Sequence, residues 1–149
     1  MAGTAVPTKI EHRSRGVVRT NITMVTDASG DATATVVGVG FGRLVGVLYD
    51  GGLDASAVIT ITDSKSGATV VAYTTGTEGV AVYFRPSTVI TSNVGVAVAA
   101  AASAPNVNRD YFISGKITVT VASGGNVETG ILGLIVDESG VGNPAQTVA

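Results

Sequence analysis

Apolar and polar residues alternate along most of this chain, and short glycine- or serine-rich segments interrupt the alternation. The clearest case is "KITVTVASGGNVETGILGLIVDES", residues 116–139, in which Ile117, Val119 and Val121 alternate with threonines. A second apolar run at residues 132–136 follows the short segment "SGGN". A period of two residues is the pattern of a strand with one buried face. The segment therefore predicts two antiparallel strands joined as a hairpin.

The same pattern recurs along the chain, so that one strand follows another at short spacing. "SAVITITDSKSGATVVAYT", residues 56–74, predicts a second hairpin with "DSKSG" as its loop. Pro86 should end the strand in "VAVYFRPST", because proline cannot donate to a strand ladder. Further separate strands are predicted in "RGVVRTNITMVTD", "ATATVVGV" and "RLVGVLYD". About eight strands and no sustained helical period predict an all-β fold, an antiparallel two-sheet sandwich that is jelly-roll-like or a Greek key.

The composition agrees with an all-β domain. The 149 residues are 45% hydrophobic but only 5% aromatic, and they include 20 glycines. Branched aliphatic residues and threonine favour strands, and glycine supplies tight turns. Charged residues make up 13% of the chain, against about 25% in typical soluble domains. Since few charges protect the edges of the sheet, we expect another subunit to cover an edge or a face.

Charge divides the chain unevenly. Residues 1–26 carry four basic residues and one acidic residue, whereas the rest carries five basic and ten acidic residues. We predict an extended basic N-terminal arm over residues 1–19, a sandwich domain over 20–138 and a flexible C-terminal tail over 139–149. Two interpretations of the arm stay open: a solvated tail, or a segment that lies on an acidic partner or a neighbouring subunit. The overall charge of −2 argues against nucleic acid as a partner.

Few residues in the sequence could carry chemistry. There is no cysteine, and a catalytic triad or an imidazole-bound metal would depend on His12, the only histidine. The aspartates of "DASGD" and "DGGLD" flank turns, which favours turn capping over calcium binding. The glycines of "GVGFGR", residues 38–43, precede a strand. We therefore expect a β-bulge or a tight β-turn there rather than a phosphate-binding loop. We therefore expect no catalytic residue, no cofactor and no metal, and an enzyme is the remotest interpretation.

The sequence also bears on the cellular compartment. No apolar stretch is long enough to span a bilayer, and the N-terminal residues lack the pattern of a signal peptide. We expect a soluble protein that is made in a cytoplasm and has no membrane partner.

Two segments place aromatic residues beside an arginine, "YFRPS" at residues 83–87 and "NRDYF" at residues 108–112. Tyrosine, phenylalanine and arginine are enriched at the centres of interfaces. The alternative is that these rings fill the mouth of the sandwich while the arginines lie in solvent. With the basic residues of the arm, they give the interface candidates Lys9, Arg13, Arg15, Arg19, Tyr83, Phe84, Arg85, Arg109, Tyr111 and Phe112.

The pattern as a whole resembles a known class of proteins. "TDASGDATATVVGVGFGRLVGVLYDGG", "SAVITITDSKSGATVVAYT", "VYFRPST" and "GKITVTVASGGNVETGILGLIVDE" are similar in order and character to small β-sandwich proteins of tailed-bacteriophage virions. These include head decoration (cement) proteins, which bind the outside of the shell. The resemblance covers roughly residues 20–138, and none of its motifs is a catalytic signature.

The resemblance implies a non-enzymatic decoration protein that binds the outer surface of the major capsid protein and stabilises the shell. It implies synthesis in the host cytoplasm, a final location on the capsid surface and self-association as a homodimer or homotrimer. The alternative is a tail- or fibre-associated module that recognises carbohydrate or a receptor. The scarcity of aromatic residues counts against carbohydrate binding.

Overall fold

A computed structural model of the chain describes residues 3–14, 16–89 and 108–139. These residues form nine β-strands: β1 Thr4–Ser14, β2 Val17–Val25, β3 Ala32–Tyr49, β4 Val58–Asp63, β5 Thr69–Thr74, β6 Val82–Phe84, β7 Ser87–Val89, β8 Asn108–Ala122 and β9 Thr129–Asp137. In this part of the chain no helix is long and apolar enough to cross a membrane.

Seven strands form one sheet in the order β1-β2-β9-β3-β8-β4-β5, and every neighbouring pair in this order is antiparallel. The short strands β6 and β7 pair with β3 and β8 outside this order. One parallel bridge joins Thr4 of β1 to Thr33 of β3. The prediction of an all-β, antiparallel fold is confirmed.

The hairpin predicted in residues 56–74 is confirmed. β4 and β5 pair antiparallel, from Val58 opposite Thr74 to Thr62 opposite Thr69. Ile59 and Ile61 are buried, while Val58, Thr60 and Thr62, which alternate with them, are partly or fully exposed. The alternation therefore assigns the two faces of this strand correctly.

The hairpin predicted in residues 116–139 is wrong, because β3 lies between β8 and β9. The connection at residues 123–128 must span two strand spacings of about 4.8 Å each, which six residues do easily. Thr26 fixes this connection: its Oγ1 donates to the carbonyl of Gly125 at 2.7 Å and accepts from the N–H of Glu128 at 2.9 Å. The alternation still assigns the faces, since the predicted apolar residues Ile117, Val119, Val121, Leu132, Leu134 and Val136 are all buried.

The two strands predicted in residues 32–50 are one strand, β3, of 18 residues. Ala32 to Leu44 pair with β8, and Arg43 to Tyr49 pair with β9. Register shifts interrupt both ladders, one of them between Gly38 and Gly40. Of the two alternatives for "GVGFGR", the structure has the bulge and not the turn, since the strand continues through it. Such bulges let one strand bend between two sets of partners.

The described part of the predicted arm belongs to the sheet. β1 pairs with β2 from Thr4 opposite Val25 to Ile10 opposite Arg19, so it forms the edge of the sheet. Residues 140–149 of the predicted tail lie outside the described residues. The proposed domain boundaries stay predictions.

A single cluster of buried side chains forms the core of the described residues, and it draws on six strands and the loop after β3. Burial of each large aliphatic side chain contributes about 1.5–3 kcal/mol to the free energy of unfolding. The members of the cluster are Ile22, Met24, Ala32, Val39, Leu44, Val47, Tyr49, Leu53, Ala57, Ile59, Ile61, Val70, Val71, Ile113, Ile117, Val119, Val121, Leu132, Leu134 and Val136. Four polar residues of the described part of the chain are also buried without belonging to this cluster: Thr20, Thr26, Asp63 and Thr75. The Oγ1 of Thr20 has no hydrogen-bond partner among the described residues.

Candidate functional site

Two exposed phenylalanine rings meet on the surface where β3 and β8 pair. Phe41 is 43% exposed and Phe112 is 54% exposed. Their ring centroids lie 4.8 Å apart at an interplanar angle of 87°, the edge-to-face geometry that aromatic pairs prefer. We call Phe41, Phe112 and the neighbouring pair Arg43–Asp137 the aromatic surface.

The backbone of a glycine-rich bulge presents Phe41. Gly40 has a φ of +97° and lies opposite Gly115, which has a φ of +105°. Side chains other than glycine rarely adopt such angles, so both positions require glycine. The N–H of Phe41 donates to Oε1 of Glu138 at 3.1 Å, which also fixes this segment to the residue after β9. The backbone therefore sets the position of Phe41, and the contact with Phe112 adds to it.

An ion pair borders the two rings. Nη2 of Arg43 donates to Oδ2 of Asp137 at 2.8 Å, across directly paired positions of β3 and β9. Hydrogen bonds from the hydroxyl and the N–H of Ser139 to the other oxygen, together with Arg43, lower the pKa of Asp137. Because the Arg43 side chain is about half exposed, this pair contributes little to stability and is available at the rim of a contact.

A hollow with two lysines lies next to the aromatic surface. It has a volume of about 370 Å³ and is lined by Gly38, Ser64, Lys65, Ser114, Gly115 and Lys116. Neither ammonium group has an ion-pair partner among the described residues, and both side chains are exposed. We call this hollow the lysine pocket. Its open space and two cationic groups suit an acidic side chain of a partner.

Beneath the lysine pocket lies the buried carboxylate of Asp63. Its Oδ1 accepts from the N–H of Ser114 at 3.1 Å and the hydroxyl of Ser114 at 2.6 Å, and its Oδ2 accepts from the N–H of Ser66 at 3.0 Å and the hydroxyl of Ser66 at 2.7 Å. Burial alone would raise the pKa of Asp63, but these four hydrogen bonds outweigh it and lower the pKa to about 2. Asp63 therefore fastens the end of β4 to β8 and has no capacity left for a ligand.

A second surface feature lies on the outer side of β2, β9 and β3. It is a groove of about 330 Å³, which we call the glycine groove, lined by Arg19, Asn21, Leu48, Tyr49, Asp50, Ala81, Val82, Tyr83, Ile131 and Gly133. The structure thus brings together two of the predicted interface candidates, Arg19 and Tyr83, which are 64 residues apart in sequence. Tyr83 is 56% exposed, and Nε of Arg19 donates to Oδ1 of Asn21 at 3.2 Å.

The other predicted aromatic candidates lie differently. Phe84 is half-buried and stacks on Tyr73 at 5.0 Å, and Tyr111 packs against the core. These two rings therefore fill space at the margin of the core, and their role in an interface stays a prediction. Arg85 follows β6 and is exposed.

The basic candidates of the arm are only partly described. Lys9 and Arg13 lie on β1, and Arg109 lies on β8, but their side chains fall outside the described part of the structure. Arg15 lies outside it altogether. The role of these four residues stays a prediction.

The candidates taken from the sequence omitted Phe41, Lys65 and Lys116. A lone aromatic residue between two glycines, as in "GFG", is a local signal that could have identified Phe41 as an exposed ring. The two lysines carry no such signal, because only the pairing of β4 with β8 brings Lys65 near Lys116.

The described residues contain no group of three or more histidine, aspartate or glutamate side chains that could hold a metal ion. On the described surface lie the two exposed phenylalanine rings, the two lysines of the lysine pocket and the glycine groove. No family model matches the chain, and no curated protein or solved structure matches it either.

Proposed function

We propose that this chain is a non-enzymatic structural protein of a tailed-phage head, which binds the outer surface of the major capsid protein shell and stabilises it. The observation that carries the proposal is the exposed Phe41–Phe112 pair, held by a glycine bulge on a rigid sheet. The sequence resemblance to small virion proteins supports the same role. A shell presents one site many times, so that modest contacts at each copy add up over the whole particle.

The aromatic surface has the composition of a binding hot spot. Large rings supply most of the binding energy at the centre of an interface, and polar groups at the rim exclude water. Phe41 and Phe112 supply the rings, and Arg43 and Asp137 supply a charged rim. An apolar patch on the shell protein would cover both rings.

The lysine pocket favours a partner that presents negative charge beside the aromatic surface. Alternate positions of β8 are occupied by Phe112, Ser114 and Lys116. Alternate residues of a strand share a face, so a partner that covers the rings also reaches the pocket. We infer that the shell surface places an aspartate or glutamate side chain between Lys65 and Lys116. Such pairing sets orientation and association rate more than affinity.

We further propose that the sheet folds over on itself as a two-sheet sandwich of the jelly-roll or Greek-key type. Two features support this: β3 changes partners from β8 to β9 along its length, and the buried residues of β4, β8 and β9 belong to one cluster. Methyl NOE contacts between Ile59 or Ile61 and Leu134 or Leu132 are expected. Their absence in a folded sample would argue for an open sheet.

Self-association as a homodimer or homotrimer is part of the proposal. β5, at one edge of the sheet, contains neither a charged residue nor a proline, and no other described strand pairs with its outer side. Uncharged edges are typical sites for pairing with another chain. Sedimentation equilibrium of the wild type and of an Ala72→Lys variant tests this, because Ala72 is exposed on β5 and a charge there should shift the protein towards the monomer.

Shell binding is tested by co-sedimentation of purified protein with phage heads that lack it. Each of Phe41→Ala and Phe112→Ala should weaken binding by about 30-fold, since a hot-spot ring contributes about 2 kcal/mol. Val58→Ala, which shortens an exposed apolar side chain on β4, is the matched control and should bind as the wild type does. Unchanged binding by the double variant Phe41→Ala/Phe112→Ala would reject the aromatic surface as the docking site.

The arm is tested separately by charge rather than by truncation, because residues 4–14 form an edge strand. The triple variant Lys9→Gln/Arg13→Gln/Arg15→Gln should bind heads more weakly at low salt and fold normally. Equal binding would leave the arm as a solvated segment with no part in attachment.

The alternative function is a tail- or fibre-associated module that recognises carbohydrate. One feature favours it, the glycine groove with its exposed Tyr83 ring. Copy number in the virion separates the two functions, because tail components are present in few copies.

A further inference from the structure

The glycine groove owes its depth to residues without side chains on the outer face of the sheet. Gly133 of β9 lies between Asn21 of β2 and Leu48 of β3 in the register of the three strands. Its neighbours on the same face of β9 are Ile131 and Ile135, which are larger. The gap at Gly133 therefore forms the floor of the groove.

Packing within the molecule does not account for this glycine. A Cβ on Gly133 would lie 3.1 Å from Oδ1 of Asn21 and 3.5 Å from Cβ of Leu48, so only the end of one polar side chain would need to shift. Glycine inside a strand costs about 0.5–1 kcal/mol relative to alanine. A glycine inside a strand accompanies a bulge, a tight bend or the close approach of a ligand or another backbone. No register shift falls at Gly133 in either ladder, which favours a close approach.

Gly46, on the neighbouring strand, provides the contrast. A Cβ there would lie 2.8 Å from the ring of Tyr83, so this glycine is required by the ring. The pairing of Leu48 with Tyr83 across β3 and β6 fixes where the ring lies. Tyr83 therefore stands as a wall of the groove, positioned by the sheet and still more than half exposed.

Polar groups of opposite character mark the two ends of the groove. Arg19 lies opposite Ile135, and Asp50 is joined to Ile131 by two hydrogen bonds. Four residues of one strand separate these positions, which is about 13 Å. Arg19 can only donate, whereas Asp50 can only accept.

Both end groups have hydrogen-bonding capacity to spare. Oδ1 of Asp50 accepts from the N–H groups of Gly52 at 3.0 Å and Ile131 at 2.9 Å, which leaves Oδ2 free of hydrogen bonds among the described residues. Nε of Arg19 donates to Asn21, and the remaining guanidinium N–H groups make no further bond within the same residues. The spare donors and acceptors face one hollow.

We infer that the glycine groove binds a neutral saccharide of one or two sugar residues. A pyranose has an apolar C–H face that fits against Tyr83, Leu48 and Ile131, and hydroxyl groups that both donate and accept. These hydroxyls match the acceptor Asp50 and the donor Arg19, whose charges cancel. The volume of about 330 Å³ lies at the small end for ligand sites, which limits the ligand to this size.

A peptide or an acidic ligand fits less well. A peptide strand would gain most by pairing along a sheet edge. This groove instead lies on the face of the middle strands β2, β9 and β3, and the three-residue strand β6 forms one wall of it. An acidic sugar would pair with Arg19 but meet the carboxylate of Asp50. The inference does not depend on shell binding.

The test is an array of neutral and acidic oligosaccharides probed with the full-length chain, followed by ¹⁵N-HSQC titration with the best neutral disaccharide at millimolar concentration. The amide signals of Gly133 and Leu48 should shift. Tyr83→Ala and Gly133→Val, which remove the wall and fill the floor, should each lower affinity at least 10-fold, while Tyr83→Phe should stay within about threefold of the wild type.

Thr120→Ala is the control variant, because Thr120 is exposed on the outer face of a different part of the sheet. It should bind as the wild type does, and circular dichroism should show that all variants are folded. Three outcomes overturn the inference: no neutral saccharide shifts any signal, binding survives in both Tyr83→Ala and Gly133→Val, or only acidic sugars or peptides bind. Head binding by the same variants should be unchanged, so the two proposals can fail independently.

Discussion

Two parts of the outer sheet surface differ in what they are made of. On β4 and β8 two neighbouring cross-strand pairs of the outer face consist of threonines, Thr60 with Thr120 and Thr62 with Thr118. We call these four residues the threonine face. On β2, β9 and β3 the outer surface carries the glycine groove, with an arginine, a bare glycine and an exposed tyrosine. Both surfaces cover the same core from outside.

The difference shows how to separate stability from function on a sheet. Threonine has high strand propensity and forms favourable cross-strand pairs, so the threonine face is explained by the sheet itself. A strand glycine at Gly133 and a half-exposed ring at Tyr83 both cost stability or solubility. Gly133 and Tyr83 are therefore the residues to test for binding, because neither is needed for the stability of the sheet and both line the same groove.

The largest effect on stability is expected at Asp63, whose carboxylate joins β4 to β8, the two strands that carry the threonine face. Asp63→Ala leaves four hydrogen-bond donors of Ser66 and Ser114 without their acceptor, which should lower the free energy of unfolding by about 3 kcal/mol. Asp31→Ala, at an exposed turn position, is the control and should cost less than about 0.5 kcal/mol. Urea denaturation measures both. A loss below 1 kcal/mol for Asp63→Ala would mean that β4 is held mainly by its apolar residues.

Low pH should destabilise the contact between β4 and β8, because Asp63 becomes protonated. The pKa of Asp63 is lowered from 3.8 to about 2 in the folded protein, so its contribution is complete above pH 4 and is lost as the pH falls through about 2. The linked loss is about 2 kcal/mol. Thermal unfolding between pH 5 and pH 2 should show a smaller pH dependence in Asp63→Asn than in the wild type. Equal dependence would assign the acid sensitivity to other carboxylates.

A gain in stability is expected from a substitution at Thr20, on β2, one of the strands that carry the glycine groove. The buried Oγ1 of Thr20 has no hydrogen-bond partner among the described residues, and Thr20 lies opposite Leu134 in the interior. Thr20→Val replaces the hydroxyl by a methyl group of similar size, so the free energy of unfolding should rise by about 1 kcal/mol. Chemical denaturation measures the change, and a loss of stability would show that the hydroxyl has a partner.

The smallest effect is expected on the threonine face. Thr60→Ser keeps the hydroxyl and removes one methyl group, so stability should fall by no more than about 0.5 kcal/mol. Binding to heads and to the saccharide should not change. A clear loss of either binding would mean that the threonine face, and not the groove or the aromatic surface, is a contact surface.

The sequence is sufficient to predict which side chains point inward. Alternation identifies the buried faces of β4, β8 and β9, because burial depends on the period of each strand alone. It fails on pairing: β8 and β9 are close in sequence but are separated by β3. Partner choice depends on long-range complementarity, which no local pattern contains.

The same limit applies to the candidate sites. Residue type and a neighbouring arginine made Tyr83 and Phe112 interface candidates, but whether their rings are exposed depends on the fold. Phe41 was not a candidate, and the bulge at Gly40, opposite Gly115, presents its ring. The glycine groove arises only when Gly133 and Leu48 lie side by side in register. Residue types can thus be predicted locally, whereas the surface they form depends on how the strands pair.

The most direct test of the proposed role is the copy number of this chain in purified virions, measured by quantitative mass spectrometry against the major shell protein. We predict about one copy for each shell subunit, or a fixed simple fraction of one copy, because a decoration protein occupies repeated symmetric sites. A handful of copies per particle, or none, would contradict a decoration protein of the head.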